Sequence, residues 1–152
     1  MKSRHEPKIK EGARPFLEEG EEVLAAFVAR PRGWTQSMAG ARGLGAAQQS
    51  RAYAGAEKAE FQLASPMALA LTQRRLLTLG IGSPIGLGIG GEVKQLVSAA
   101  PIADVDSIEV QRLALGKVVT LTVRGVPFKL EANALAGAKA LAEAFDRARG
   151  AV

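Results

Sequence analysis

The sequence predicts a mainly β fold: an antiparallel sheet of successive hairpins, closed by a C-terminal amphipathic helix, with a partly helical insertion after the first strand. Two observations point there. From Pro66 to Glu131, short apolar runs recur between tight polar or glycine turns, the mark of successive hairpins. From Asn133 to Gly150, apolar residues return at three- and four-residue steps. A third is negative: no repeating strand–helix–strand unit occurs, so a parallel sheet is not expected.

Residues 1–14 hold Lys2, Arg4, Lys8, Lys10 and Arg14 against Glu6 and Glu11, so most of the +5 net charge sits there. Such a terminus reads as a basic flexible tail, with a single domain over 15–152. Val23 to Arg30, β-branched and aromatic and stopped by Pro31 and Gly33, reads as a buried first strand. Residues 34–65 form the insertion. Ala46 to Glu60 has helix-forming composition with Tyr53 as its one large apolar side chain, so this stretch is either a helix or a segment that orders against a partner.

Met67 to Thr72 and Leu76 to Ile81 make a hairpin across Gln73-Arg74-Arg75. A glycine-rich loop, Gly80 to Gly91, follows. Glu92 to Val97 is one helical turn or a short strand, and Pro101 to Arg112 alternates apolar and polar residues with a bend near Asp104 to Ser107. Val118 to Arg124 has the strongest β-propensity in the chain, and Phe128 to Glu131 alternates as a half-exposed strand does. In the final helix Leu135, Ala138, Leu141, Ala142, Phe145 and Ala148 share one face, with Asn133 as N-cap.

Hydrophobic residues at 47% against 23% charged give a globular balance, and with 5% aromatics the core is built from aliphatic side chains. The absence of cysteine removes disulfides and thiolate sites. His5 is the only histidine and lies in the tail, so no histidine base or His-rich metal site is expected. The charged start lacks the apolar stretch of a secretory signal, which leads to the expectation of a cytoplasmic protein.

Gly86-Leu87-Gly88-Ile89-Gly90-Gly91 satisfies G-x-G-x-x-G, but a dinucleotide site also needs a parallel strand and a helix opening at the loop, and the context is antiparallel. Asp104 and Asp106 form a potential carboxylate pair whose setting favours turn bonding. Trp34 and Tyr53 are read as anchors of the insertion to the core. The apolar residues Ile85, Leu87 and Ile89 suit either packing on the sheet or contact with a partner or membrane interface.

Three stretches carry a family resemblance: Leu69 to Leu79, containing Leu71-Thr72-Gln73-Arg74-Arg75-Leu76-Leu77; Pro101 to Val110; and Val118 to Leu130 with the helix behind it. In order and spacing they resemble the bacterial pleckstrin-homology-like family, across roughly residues 67–149. The resemblance implies a strongly bent antiparallel barrel of about seven strands capped by the terminal helix, with residues 34–65 longer than that family's usual connection. It implies a non-enzymatic interaction or assembly module without a cofactor, binding a protein partner or a second copy of itself. The alternative is peripheral attachment to anionic lipid at the inner face of the membrane. The contact residues expected on either reading are Arg30, Arg32, Arg74, Arg75, Ile85, Leu87 and Ile89. Nucleic acid is a lesser candidate, because the folded part is nearly charge-balanced and aromatic residues are scarce.

Overall fold

A computed structural model describes residues 6–33, 42–64, 66–82, 92–113, 116–132 and 135–150. Seven antiparallel strands form one sheet: β1 (Val23–Pro31), β2 (Met67–Thr72), β3 (Arg75–Ile81), β4 (Val93–Pro101), β5 (Val105–Leu113), β6 (Gly116–Val123) and β7 (Val126–Ala132). Three α-helices accompany them: α1 (Glu6–Ala13), α2 (Arg42–Lys58) and α3 (Leu135–Gly150). The spatial order is β4-β3-β2-β1-β7-β6-β5. Consecutive strands pair within each half, β1 to β4 and β5 to β7, and β1 joins the halves by pairing with both β2 and β7, while β4 and β5 do not pair with each other. The sheet is open, with β4 and β5 as its edges.

Side chains alternate across β1 and β2 into two cores. Ala25, Phe27, Ala29, Met67, Leu69 and Leu71 enter the larger one, which also takes Leu121, Leu130, Leu141 and Phe145. Ala26, Val28, Ala68 and Ala70 enter a smaller core with Leu77, Leu79, Ile9 and Ala13. A strand covered on both faces needs apolar residues at every position, which is why β2 is buried along its whole length.

The cover on the smaller core is α1. Glu6–Ala13, expected as part of a flexible tail, is helical, with Ile9 and Ala13 fully buried against the sheet. Ile9, Gly12, Ala13 and Phe16 fall at helical spacing, so one narrow apolar stripe is present among the charges. Pro15 sits in the first turn of the 3₁₀ segment Arg14–Phe16 that ends α1.

Over the larger core lies α3, with Ala138, Leu141, Ala144 and Phe145 buried, the face the periodicity predicts. The insertion contains α2, which packs beside β7 through Ala52 and Ala56. Gly55 allows that close approach: a Cβ there would stand 3.0 Å from Phe128 Cβ and 3.1 Å from the Pro127 carbonyl. Tyr53, expected as an anchor, is 40% exposed on the opposite side. The anchors are small residues of α2 and the Phe61 and Leu63 that follow it, Phe61 stacking on Phe128 at 5.9 Å.

A Schellman motif ends α2. Glu60 takes the left-handed position at φ 58°, Phe61 N–H donates to the Ala56 carbonyl, and Glu60 N–H donates to that of Glu57. No helix among the described residues is long and apolar enough to cross a membrane.

Candidate functional site

The four arginines singled out from the sequence do not form one patch. Val23 pairs with Thr72 at one end of the β1–β2 ladder, and Ala29 pairs with Met67 at the other. Arg74 and Arg75 therefore sit at the start of β1, Arg30 and Arg32 at its finish. At about 3.3 Å per residue, a nine-residue strand separates them by roughly 25–30 Å.

At the first end, Arg75 forms a two-pronged pair with Glu21, Nε to Oε2 at 2.9 Å and Nη2 to Oε1 at 2.7 Å, and Nη2 also donates to the Phe16 carbonyl. The Thr72 hydroxyl donates to Glu21 Oε2 at 2.6 Å, and the Glu18 N–H donates to Oε1 at 2.9 Å. The Glu21 side chain has no solvent exposure. Hydrogen bonding from Arg75 drives its pKa down to about 2, with help from the Glu18 amide and Thr72, while burial opposes the shift. Arg74 is more open, 3.8 Å from Glu18. This arrangement ties the loop before β1 to the β2–β3 turn.

The same end is stitched further by the β6–β7 turn, where Arg124 and Gly125 both have positive φ. Arg124 Nη1 donates to the carbonyls of Ala59 and Glu60 past the end of α2, and Nη2 lies 3.0 Å from Asp104 Oδ2. Asp106 accepts from the Gly125 N–H at 2.7 Å. Both aspartates are thus engaged with the β6–β7 turn, not with the amides of their own bend as the sequence suggested, because the β5–β6 pairing brings that turn beside them. Arg149, from α3, donates to the Val105 and Asp106 carbonyls at the start of β5.

The far end is arranged differently. Arg32 Nη1 meets Glu131 Oε2 at 2.8 Å, and the same oxygen accepts from the Gly33 N–H at 3.0 Å. Arg30 stands opposite Glu131 in the β1–β7 register, with its pKa pushed down by burial. Gly33 has φ 110°, and a Cβ there would strike the Gly45 carbonyl and stand 2.8 Å from Gln48 Cβ. Only glycine lets α2 begin this close to the end of β1.

Between α2 and β7 a cleft of about 340 Å³ opens, lined by Arg32, Gln48, Arg51, Ala52, Pro127, Phe128 and Lys129. Its lining carries three cationic side chains and no acidic one. Arg51 and Lys129 are exposed, and neither side chain has a hydrogen-bond or ion-pair partner among the described residues. Gln48 Oε1 is buried without a hydrogen-bond partner among the described residues. Of the arginines chosen from sequence, only Arg32 reaches this cleft. Gln48 and Arg51 on α2 and Lys129 on β7 were missed because the two elements lie about 80 residues apart in the chain, and the sequence places no basic cluster around any of them.

Ile85, Leu87, Ile89 and Trp34 lie outside the described residues. Among the described residues, no group of three His, Cys, Asp or Glu side chains converges in a way that could hold a metal ion. No protein-family model matches the chain, and no curated protein matches its sequence.

Proposed function

We propose that the protein is a non-enzymatic interaction module of pleckstrin-homology-like fold, and that it receives a protein strand, from a partner or from a second copy, along the free edge of β5. The fold reading is supported by the seven-strand meander with β1 shared between its halves and the terminal helix over the larger core. On this reading the open sheet corresponds to an unclosed form of the barrel the resemblance implies.

The observation that carries the reading is the difference between the two edges. Strand β4 has two register shifts against β3 and ends in Pro101, devices that discourage further pairing. Strand β5 runs in unbroken register with β6 from Ser107 to Leu113, and among the described residues side-chain bonds reach only its first carbonyls, from Arg149. Such a straight, unguarded edge is a template for strand addition.

Light scattering on a size-exclusion column tests assembly; a strict monomer at high micromolar concentration would remove self-association. Glu109→Pro and Val110→Pro make the test specific, because adjacent residues aim their N–H groups to opposite sides of a strand. One of the two is expected to leave the fold intact and abolish association. If both fold and both still associate, β5 is not the docking edge.

A further inference from the structure

We infer that the cleft between α2 and β7 is a binding site for a small phosphate monoester carrying a hydroxyl group, a site independent of the β5 edge. Three features of the cleft converge on that chemistry. Arg32, Arg51 and Lys129 come from three different elements and surround one space. Only Arg32 has a carboxylate partner, Glu131, so the group retains an excess of two positive charges. A phosphate dianion matches that charge, and its three terminal oxygens can meet cations from three directions, which a two-oxygen carboxylate cannot.

The second feature is Gln48. Its Oε1 is buried at the cleft without a donor among the described residues. An unpartnered buried acceptor is costly, so a ligand hydroxyl supplied to it gains what the free protein lacks. The third is the apolar part of the lining. Pro127, with the small exposed parts of Ala52 and Phe128 behind it, offers a surface for a short carbon skeleton. The volume of about 340 Å³ lies at the small end of ligand pockets and suits a compact molecule.

A concave cleft under a helix favours a soluble ligand over a membrane face. Bound there, a phosphate would join the end of β1, α2 and β7, and would fasten the insertion to the sheet. Occupancy is therefore expected to raise the thermal midpoint of the whole chain.

The test is titration calorimetry and thermal unfolding at low salt with glycerol 3-phosphate, propyl phosphate, inorganic phosphate and glycerol, together with vesicles containing phosphatidic acid. Glycerol 3-phosphate is expected to bind and to raise the midpoint, with propyl phosphate weaker because it cannot satisfy Gln48. The exposed double variant Arg51→Gln/Lys129→Gln is expected to fold as the parent does and to bind about tenfold more weakly or worse. Gln48→Leu is expected to make glycerol 3-phosphate and propyl phosphate equal. No binding of glycerol 3-phosphate at low-millimolar concentration would overturn the proposal. So would undiminished binding by the double variant, or binding to the vesicles alone. Because Glu109→Pro and Val110→Pro lie on another strand, the fate of the β5 reading does not decide this one.

Discussion

At the end of the sheet where β2 turns into β3, Arg75 commits its donors to Glu21 and to the Phe16 carbonyl; beside the cleft, Arg51 has no partner among the described residues. The two residues are chemically identical, and the first holds the fold together while the second adds nothing visible to it. What separates them is a buried carboxylate. Glu21 is inside, so it must be paired, and its pairing absorbs the arginine beside it. Beside the cleft Glu131 is already taken by Arg32 and the Gly33 amide, which leaves the side chains of Arg51 and Lys129 for something else. A cation is available for binding where the fold has no buried acid to assign to it.

The largest effect expected from breaking this contrast is at Glu21. Glu21→Ala removes one half of a buried pair and strands Arg75, so chemical denaturation should show a loss of about 3–5 kcal/mol. Acid gives the same information without mutation. Folding lowers the Glu21 pKa from an ordinary 4.5 to about 2, so between those values the unfolded chain binds the proton more readily. The stabilisation is complete above the ordinary value and is lost as pH falls towards 2. It amounts to an order of 3 kcal/mol, and urea midpoints measured from pH 6 down to 2.5 should trace it. In Glu21→Gln this portion of the acid limb should vanish.

Next in size is Gly33→Ala, which forces a side chain onto a left-handed backbone and against Gly45 and Gln48. A loss of roughly 2 kcal/mol is expected, accompanied by weaker protection of α2 amides in hydrogen exchange. Glu60→Gly should act the other way: glycine accepts the φ of 58° without strain, giving a gain of up to about 1 kcal/mol in thermal unfolding. Smallest of all, Arg51→Gln should change stability by no more than about 0.5 kcal/mol. A large loss there would show that the cleft arginine is structural after all, and the contrast would collapse.

Much of the fold was legible. Alternation and β-propensity mark Val118 to Arg124 and Phe128 to Glu131, and both are strands, β6 and β7. The three- and four-residue steps after Asn133 mark α3 and its buried face. Helix composition marks the second half of the insertion, and α2 is there, beginning a few residues earlier than composition alone suggests. The helix α1 was missed because charges dominate Met1 to Arg14. The signal that could have exposed it lies elsewhere, in the unbroken apolar run Met67 to Leu71: a strand apolar at every position needs cover on both faces, and one terminal helix covers only one.

The site was far less legible. Arg74 and Arg75 look alike in sequence, yet Arg75 is half-buried and paired with the buried Glu21, while Arg74 is nearly free of partners beyond a distant Glu18. Lys129 reads only as the polar half of an alternating strand, and Arg51 as an ordinary helix surface residue. Their meeting with Arg32 depends on where α2 docks, and that docking rests on Gly33, Gly55 and alanines that carry no recognisable motif.

By itself, then, the sequence determined the elements: their periods, their turns, the helix that closes the larger core, and the absence of cysteine chemistry. These follow from local rules, in which each residue is judged against neighbours a few positions away. Only the tertiary structure decided which charges are spoken for. Pairing Glu21 with Arg75, or gathering Arg32, Arg51 and Lys129 around one cleft, requires contacts between distant parts of the chain, and burial sets the energy of each. Local pattern carries no record of burial of that kind, so the basic residues acquire their separate roles only when the sheet and its inserted helix come together.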